Sequence, residues 1–236
     1  MGQKSVIIDT EVFEMFPDFR RGIVIVDGMD NKIENPAIAE LLQEAIGMRK
    51  EGGNWLEHEF VKAWEEVYRK LKVNPNKYPP SIKSLIKRVQ KGGRIPFINS
   101  AVALFNYVSI KYLIPCGGDD VDTVEGNLHL GFATGKEKFV PLGGKEEEHP
   151  DEGEVIYFDD VTLNVMCRRW NWRNGDFSKI LDSSKRVVIN IDGIGPVPDD
   201  TIIEARDEIA GLLQRYCDAR VRLAFLSKEE REVTVF

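Results

Sequence analysis

The segment Arg94–Gly118, "RIPFINSAVALFNYVSIKYLIPCGG", separates two parts of the chain that differ in character. It begins with an extended Ile-Pro pair, offers Asn99 or Ser100 as a helix cap, and continues as an apolar helix to Tyr112, before Pro115. Helical patterns predominate before this segment, and strand patterns follow it. A set of helices followed by several adjacent strands predicts an α+β fold rather than a doubly wound sheet.

Two strands and three helices are predicted upstream of this segment. The strands are Ser5–Ile8 and Gly22–Val26, each bounded by turn residues. The helices are "NPAIAELLQEAIGMRKEGG" with Asn35 as N-cap, "NWLEHEFVKAWEEVYRKLKV" with Asn54 as N-cap, and Ser81–Gln90. We expect one domain of residues 1–236, in which this mainly helical N-terminal portion, residues 1–92, packs on a core of residues 93–236.

The downstream part is predicted to be rich in strands. The strand segments are "NLHLGFATG", "KFVPLGG", "EVIYFDD", "LNVMCRRW" and "RVVINIDG". An amphipathic helix, "PDDTIIEARDEIAGLLQRYCD", and a last strand in "ARVRLAFL" follow them. The acidic stretch Lys145–Glu154, "KEEEHPDEGE", has neither periodicity and is predicted to be a solvated loop.

Composition limits the classes of function. The chain has 236 residues, 42% of them hydrophobic, and a net charge of −7, as in ordinary globular proteins. It has no apolar run long enough for a membrane span and no signal-peptide pattern, so we expect a cytoplasmic protein without a membrane partner. Its three cysteines and three histidines are scattered, which predicts neither a disulfide framework nor a metal site. We expect no cofactor.

The negative charge argues against broad affinity for nucleic acid, and we expect no DNA partner. A local basic patch would still allow the protein to bind RNA. The candidates are the arginines of residues 168–173 and the basic residues of the segment Lys87–Arg94.

The segment Cys167–Trp172, "CRRWNW", places two arginines, two tryptophans and an asparagine in six residues after a strand pattern. A buried arginine must be paired, a buried indole N–H must find an acceptor, and an exposed tryptophan is unfavourable. Such a mixture is typical of a ligand pocket.

The region from Arg94 to Gly193 resembles the B3/B4 region of the phenylalanyl-tRNA synthetase β-subunit in the order and spacing of short motifs. The matching residues are Pro96, Asn99, the "NYV" of residues 106–108, Pro115, Asp120, Glu125 and Gly126. The stretch "GEVIYFDDVTLNVMCRRWNW" is similar to the strand pair that floors the synthetase's editing pocket. "CRRWNWR" is similar to free-standing proteins that carry only this domain.

The resemblance implies a B3/B4-like domain with a mixed sheet and flanking helices, acting in trans on aminoacyl-tRNA. Such a protein would hydrolyse the ester of a mischarged tRNA, with the amino acid bound in the pocket. An aminoacyl ester is already activated, so its hydrolysis requires little more than a positioned water and a polarised carbonyl. Two departures, Gly117 in place of the family's pocket histidine and Asn190 in place of its pocket glutamate, favour an alternative. This alternative is a non-catalytic module that binds an amino acid or tRNA.

The predicted catalytic residues lie at the end of one strand. Asn190 would hold the attacking water, and Asp192, two residues on along the same face, would supply a carboxylate or simply be a turn residue before Gly193. Asn99 and Ser100 would donate hydrogen bonds to the ester or carboxyl oxygen, or merely cap the helix.

The remaining predicted contacts come from Gly117 and from the "CRRWNW" segment. Asn171 would bind the amino group or a water, and either Arg168 or Arg169 would contact the terminal ribose-phosphate. Trp170 or Trp172 would stack on adenine, line the side-chain pocket, or belong to the core. A third hypothesis is an enzyme acting on a small amino-acid derivative, with one of the two arginines holding a carboxylate.

Overall fold

The computed structural model describes residues 2–236, which form six α-helices and ten strands. The helices are α1 (Thr10–Met15), α2 (Pro36–Lys50), α3 (Glu59–Lys70), α4 (Ser81–Gln90), α5 (Ser100–Tyr112) and α6 (Asp199–Cys217). The first six strands are β1 (Ser5–Ile8), β2 (Arg20–Asp27), β3 (Cys116–Asp120), β4 (Leu128–Phe132), β5 (Val155–Asp159) and β6 (Val165–Arg168). The last four are β7 (Arg173–Asn174), β8 (Arg186–Gly193), β9 (Arg220–Leu226) and β10 (Glu232–Thr234).

The strands form two sheets, which makes the fold α+β as predicted. The first sheet has the order β10-β1-β4-β5-β6-β7 and is mixed, because β1 and β4 run parallel while the other pairs are antiparallel. The second is antiparallel, with the order β3-β8-β2-β9. The N-terminal residues 1–92 therefore contribute one strand to the interior of each sheet.

The two faces of β8 pack against different parts of the molecule. Val187, Ile189 and Ile191 belong to the apolar core that includes α5 and α6. Val188 belongs to a second core, shared with the first sheet and α3. Because side chains alternate along a strand, Asn190 and Asp192 share the face of Val188 and point toward the first sheet.

Helix α5, the centre of the predicted segment, begins and ends through local chemistry. Asn99 Oδ1 accepts a hydrogen bond from the Val102 backbone N–H at 3.0 Å, which satisfies a donor of the first turn. The helix ends at Leu113, whose φ of 60° lies in the left-handed region. Nine of its thirteen residues are buried and none is exposed, in agreement with the apolar pattern.

Several details differ from the sequence prediction, which contained neither the short helix α1 nor the short strands β7 and β10. Helix α3 is capped by His58 rather than Asn54, because a short 3₁₀ turn, Trp55–Glu57, separates the two. The glycine-rich "CGGDD", which lacks strand-forming residues, nevertheless forms β3 by pairing with β8. The segment "KFVPLGG" makes only isolated bridges, and Pro141 has no N–H with which to extend them. Among residues 2–236 no helix is both long and apolar enough to span a membrane.

Candidate functional site

Strand register brings together three predicted site residues, Gly117, Asn190 and Asp192, and a fourth residue, Arg21, that was not predicted. In the second sheet, Gly117 on β3 pairs with Asn190 on β8. Two residues along β8, Asp192 pairs with Arg21 on β2. Residues far apart in the sequence therefore occupy adjacent positions on one sheet.

The opposite wall comes from the turn after β6. Arg169 and Trp170 have φ values of 46° and 66°, so the chain leaves the strand in a left-handed conformation that is uncommon for residues with side chains. The Tyr68 hydroxyl lies 2.5 Å from the Arg169 carbonyl oxygen, and the Ser81 backbone N–H donates to the Asn171 carbonyl at 3.0 Å. Helices α3 and α4 thus hold this turn over the sheet.

Between these walls lies a cavity of about 100 Å³, referred to here as the small cavity. Five side chains that line it each have a buried polar atom without a hydrogen-bond partner among residues 2–236. These atoms are Arg21 Nη1, Tyr157 Oη, Trp170 Nε1, Asn171 Nδ2 and Asn190 Oδ1. An unsatisfied buried polar atom is unfavourable, and a group of them around one cavity indicates a binding site.

A buried ion pair orients the arginine of the small cavity. Arg21 Nε and Nη2 donate to the two carboxylate oxygens of Asp192 at 2.7 and 2.9 Å. Burial alone would lower the pKa of Arg21, but the Asp192 carboxylate outweighs it and the pKa is raised. Asp192, predicted to be catalytic, is therefore engaged with a cation. Arg21 was missed by sequence reasoning, because nothing near it in the sequence indicates a partner on another strand.

Asp119 is a second residue that sequence reasoning missed. It lies on β3 at the junction of the small cavity and a larger one, and is 9% exposed. Burial raises the pKa of Asp119 to about 7, although a hydrogen bond from Ser178 Oγ, at 2.7 Å, opposes this shift. The only available signal was an acidic pair directly after two glycines, and the resemblance used its second member, Asp120. A carboxyl group that titrates near neutrality in a cleft is a functional candidate.

The large cavity adjoins the small one and has a volume of about 580 Å³. The two cavities share lining residues, among them Gly117, Gly118 and Asp119. The large cavity contains three of the large exposed apolar side chains, Ile98, Leu142 and Leu181, together with Trp172. Its lining therefore suits a flat or apolar group, whereas that of the small cavity suits a polar one.

The predicted site residues Gly117, Trp170, Asn171, Asn190 and Asp192 all line the small cavity, and Trp172 and Gly117 line the large one. Trp170 is also a core residue, because its ring packs edge-on against Phe16, Phe19 and Trp64 with centroid separations of 4.8 to 5.4 Å. Both interpretations of this tryptophan, core residue and pocket wall, therefore describe its position.

Asn99 and Ser100 line neither cavity. Asn99 Nδ2 donates to the Ile180 carbonyl at 3.0 Å, while its oxygen caps α5. Ser100 Oγ donates to the Lys32 carbonyl at 3.1 Å, and both residues are buried. Their polar atoms are occupied within the protein, which fits the capping alternative rather than contact with an ester.

Arg168 and Arg169 also lie away from both cavities. Arg168 donates from Nε and Nη2 to the two oxygens of Glu154 at 2.9 and 2.7 Å, and from Nη1 to Glu148 at 3.0 Å. Arg169 Nη2 donates to Asp151 at 3.0 Å. The acidic stretch Lys145–Glu154 is therefore not simply a solvated loop, because its carboxylates satisfy both guanidinium groups.

Cys116 and Cys167 line the small cavity as neutral groups, because burial raises the pKa of both thiols. In the described part of the chain, residues 2–236, no group of three or more His, Cys, Asp or Glu side chains is arranged to hold a metal ion. The polar chemistry at the walls of the small cavity comes from a guanidinium, three amides, an indole, a phenol, a serine hydroxyl and two carboxyl groups.

The fold and the site define an α+β protein with a polar cavity between two sheets, opening toward a larger apolar one. The family model of the B3/4 domain matches residues 63–218, and the chain belongs to that family. The match begins within α3, upstream of Arg94, where the resemblance of short motifs starts.

Among solved structures, the chain is similar to an N-terminal fragment of the phenylalanyl-tRNA synthetase β-subunit from Pyrococcus horikoshii. The two share 14% sequence identity with a TM-score of 0.48, over 92% of this chain and 50% of the fragment. The chain thus spans about half the length of that structure. No curated protein matches the sequence.

Proposed function

We propose that this protein is a trans-editing deacylase, which hydrolyses the ester bond between a wrongly attached amino acid and its tRNA. The observation that carries the proposal is the group of five unpartnered polar atoms around the small cavity. Membership of the B3/4 family and the resemblance to the synthetase editing region support tRNA as the carrier of the ester.

The unpartnered donors are suited to an ester carbonyl. Arg21 Nη1, Trp170 Nε1 and Asn171 Nδ2 can donate only, and they lie on opposite walls of one small volume. Donors placed in advance around a carbonyl oxygen stabilise the negative charge that develops there when water attacks. Because Asp192 and the turn of residues 169–171 hold these groups, little reorganisation is needed when the charge forms.

Asn190 is suited to orient the attacking water. Its Oδ1 has no hydrogen-bond partner within residues 2–236, although the Asn190 amide lies near the Tyr157 hydroxyl. This oxygen accepts hydrogen bonds, so it can hold one water proton while the water oxygen faces the carbonyl carbon. The water oxygen adds to the carbonyl, the bond to the ribose oxygen breaks, and that oxygen takes up a proton. The amino acid leaves as its carboxylate after losing a proton to solvent.

The large cavity is suited to the terminal adenosine of tRNA. Trp172 offers a ring on which a base can stack, and Ile98, Leu142 and Leu181 provide apolar contact. Arg88, which also lines this cavity, forms no ion pair within residues 2–236. Lys87, Lys91 and Arg94 extend the basic surface along the exposed C-terminal end of α4 and beyond. This surface, residues 87–94, is our candidate for contact with the phosphate backbone.

A second candidate function is a module that binds an aminoacyl group or tRNA without chemistry. It is favoured by the two residues predicted to be catalytic, since the Asn190 amide cannot take up a proton and Asp192 is paired with Arg21. The third hypothesis is an enzyme that acts on a small molecule, with Arg168 or Arg169 holding the substrate carboxylate. Both arginines are already paired with acidic residues of the protein, which argues against this hypothesis.

One experiment separates these functions. The purified protein is incubated with a panel of aminoacyl-tRNAs and with the corresponding free aminoacyl esters, and release of amino acid is measured. Release from tRNA alone supports the deacylase, whereas binding of aminoacyl-tRNA without release supports the module. Turnover confined to small esters would overturn both.

A further inference from the structure

One carboxylate at the junction of the two cavities has no cationic partner. Asp119 Oδ1 accepts the hydrogen bond from Ser178 Oγ at 2.7 Å, and no ion pair involves Asp119 in the part of the chain that the structure describes. The neighbouring Asp120 is directed elsewhere, because it caps the next turn through the Asp122 N–H and contacts the Ser184 hydroxyl. Asp119 therefore has a free acceptor oxygen at a mostly buried position that lines both cavities.

The other ionisable groups around the small cavity do not balance this charge. Arg21 and Asp192 neutralise each other in the bidentate pair. Burial raises the pKa values of the Cys116 and Cys167 thiols and of the Tyr157 hydroxyl, so these groups are uncharged near neutral pH. With Asp119 ionised, the residues that line the small cavity carry one net negative charge, which a ligand group with a single positive charge neutralises.

We propose that Asp119 binds the α-ammonium group of the aminoacyl moiety and restricts this site to esters whose amine is unblocked. The inference rests on the proposed function, because it assigns one part of the substrate to the same site. Esterification removes the α-carboxylate of the amino acid, so the α-carbon of an aminoacyl ester bears a positively charged ammonium group and no negative charge. Its ammonium group meets the Asp119 carboxylate, while its carbonyl lies among the donors of Arg21, Trp170 and Asn171.

A blocked amine is excluded for the same physical reason. An acylated amine is neutral and cannot pair with the Asp119 carboxylate, so the carboxyl group either stays charged without a partner or takes up a proton, and the ion pair is lost in both cases. Asp119 is thus a specificity-determining residue that distinguishes aminoacyl-tRNA from peptidyl-tRNA and other N-acylated forms.

The test uses two sets of probes that differ only in N-acetylation. The first set is a panel of adenosines carrying an amino acid through a 3′-amide, which cannot be hydrolysed as an ester, and binding is measured by calorimetry. The second is aminoacyl-tRNA, for which kcat/KM of deacylation is measured. We expect the wild type to prefer the free amine on the order of a hundredfold in both assays.

The isosteric variant Asp119→Asn retains the acceptor for Ser178 and removes the charge. We expect this variant to reduce the preference for the free amine to within about threefold, because it should bind the free-amine probe more weakly and the acetylated probe as well as the wild type does. Asp182→Asn, at an exposed carboxylate outside both cavities, should keep the wild-type preference. Equal treatment of both amines by the wild type, or an unchanged preference in Asp119→Asn, overturns the inference. Selective binding of free-amine amides without deacylation of any tRNA supports the inference and overturns the proposed hydrolysis.

Discussion

Asp192 on β8 holds Arg21 on β2 through two hydrogen bonds of 2.7 and 2.9 Å, and Arg21 Nη1, at the wall of the small cavity, has no hydrogen-bond partner within residues 2–236. Both side chains are buried. One guanidinium therefore has two roles, because two of its nitrogens maintain the structure and the third can bind a ligand.

This pairing predicts a large effect of Asp192→Asn on stability. Removal of one partner leaves a buried, uncompensated guanidinium, and the free energy of unfolding should fall by about 3 to 5 kcal/mol. Urea denaturation followed by circular dichroism measures this change. The double variant Arg21→Met, Asp192→Leu removes both charges and should recover most of the stability without recovering activity. A stable but inactive Asp192→Asn protein would instead indicate a directly catalytic carboxylate.

Asn190 is predicted to affect rate rather than stability. Its Oδ1 has no partner within residues 2–236, so Asn190→Ala loses little native interaction and should unfold near the wild-type midpoint. Loss of the group that orients water should lower deacylation on the order of a hundredfold. Single-turnover release of amino acid from tRNA measures the rate, with the exposed Asn76→Ala as control. Wild-type rates in the Asn190 variant would place the chemistry elsewhere.

Gly117 and Gly118 are adjacent glycines of β3 that line both cavities, and alanine substitution should have different effects at the two positions. A Cβ at Gly117 would meet no atom within 4 Å, so Gly117→Ala should fold normally while narrowing both cavities and raising KM. A Cβ at Gly118 would lie 2.8 Å from the Val188 carbonyl oxygen and 2.9 Å from the Phe105 ring. Gly118→Ala should therefore lose about 1 to 3 kcal/mol of stability. Thermal unfolding and steady-state kinetics on both variants check the contrast, and equal effects of the two would contradict it.

We expect replacement of Asp119 by asparagine to increase the stability of the protein by an amount that depends on pH. Its pKa rises from 3.8 to about 7 on folding, so below about pH 4 both states are protonated and the residue has no effect. Between these values the unfolded chain loses the proton while the native protein retains it, and stability falls until about pH 7. Asp119→Asn should remove a destabilisation on the order of 2 to 4 kcal/mol at pH 8 and nothing at pH 3.5. Denaturant unfolding at both pH values tests this, and a variant less stable than wild type at pH 8 would contradict it.

Charge reversal should have different effects at the two basic segments: at residues 87–94 it should weaken tRNA binding, and at the arginines of "CRRWNW" it should destabilise the fold. Lys87→Glu, Lys91→Glu should weaken tRNA binding and reduce its salt dependence without unfolding the protein, because both lysines are exposed. Lys136→Glu, Lys228→Glu changes the net charge equally at positions outside both cavities and serves as control.

Arg168→Glu, by contrast, places a carboxylate against buried Glu154 and should destabilise the fold by about 3 to 5 kcal/mol. Filter binding over a salt series and thermal unfolding separate these effects. A stably folded Arg168→Glu protein with selectively weakened tRNA binding would show instead that this arginine contacts RNA.

Much of the secondary structure could be predicted because its causes are local. The Asn35 cap with Pro36, the Asn99 cap of α5 and the run of β-branched residues in β8 each depend on neighbouring residues. Prediction failed where pairing outweighed local preference. "CGGDD" has no strand propensity and is a strand only because β8 lies beside it.

The sequence by itself determined five of the six helices, most strands, the α+β class and the family resemblance, because capping, periodicity and motif order act over a few residues. It also located part of the candidate site, at Gly117, Asn171 and Asn190. The tertiary structure alone decided the charges of that site. Arg21 and Asp192 meet across 171 positions of sequence, and Arg168 finds Glu154 in a loop without any pattern. The pKa of a carboxyl group such as Asp119 is set by what surrounds it in three dimensions, and no local pattern encodes that.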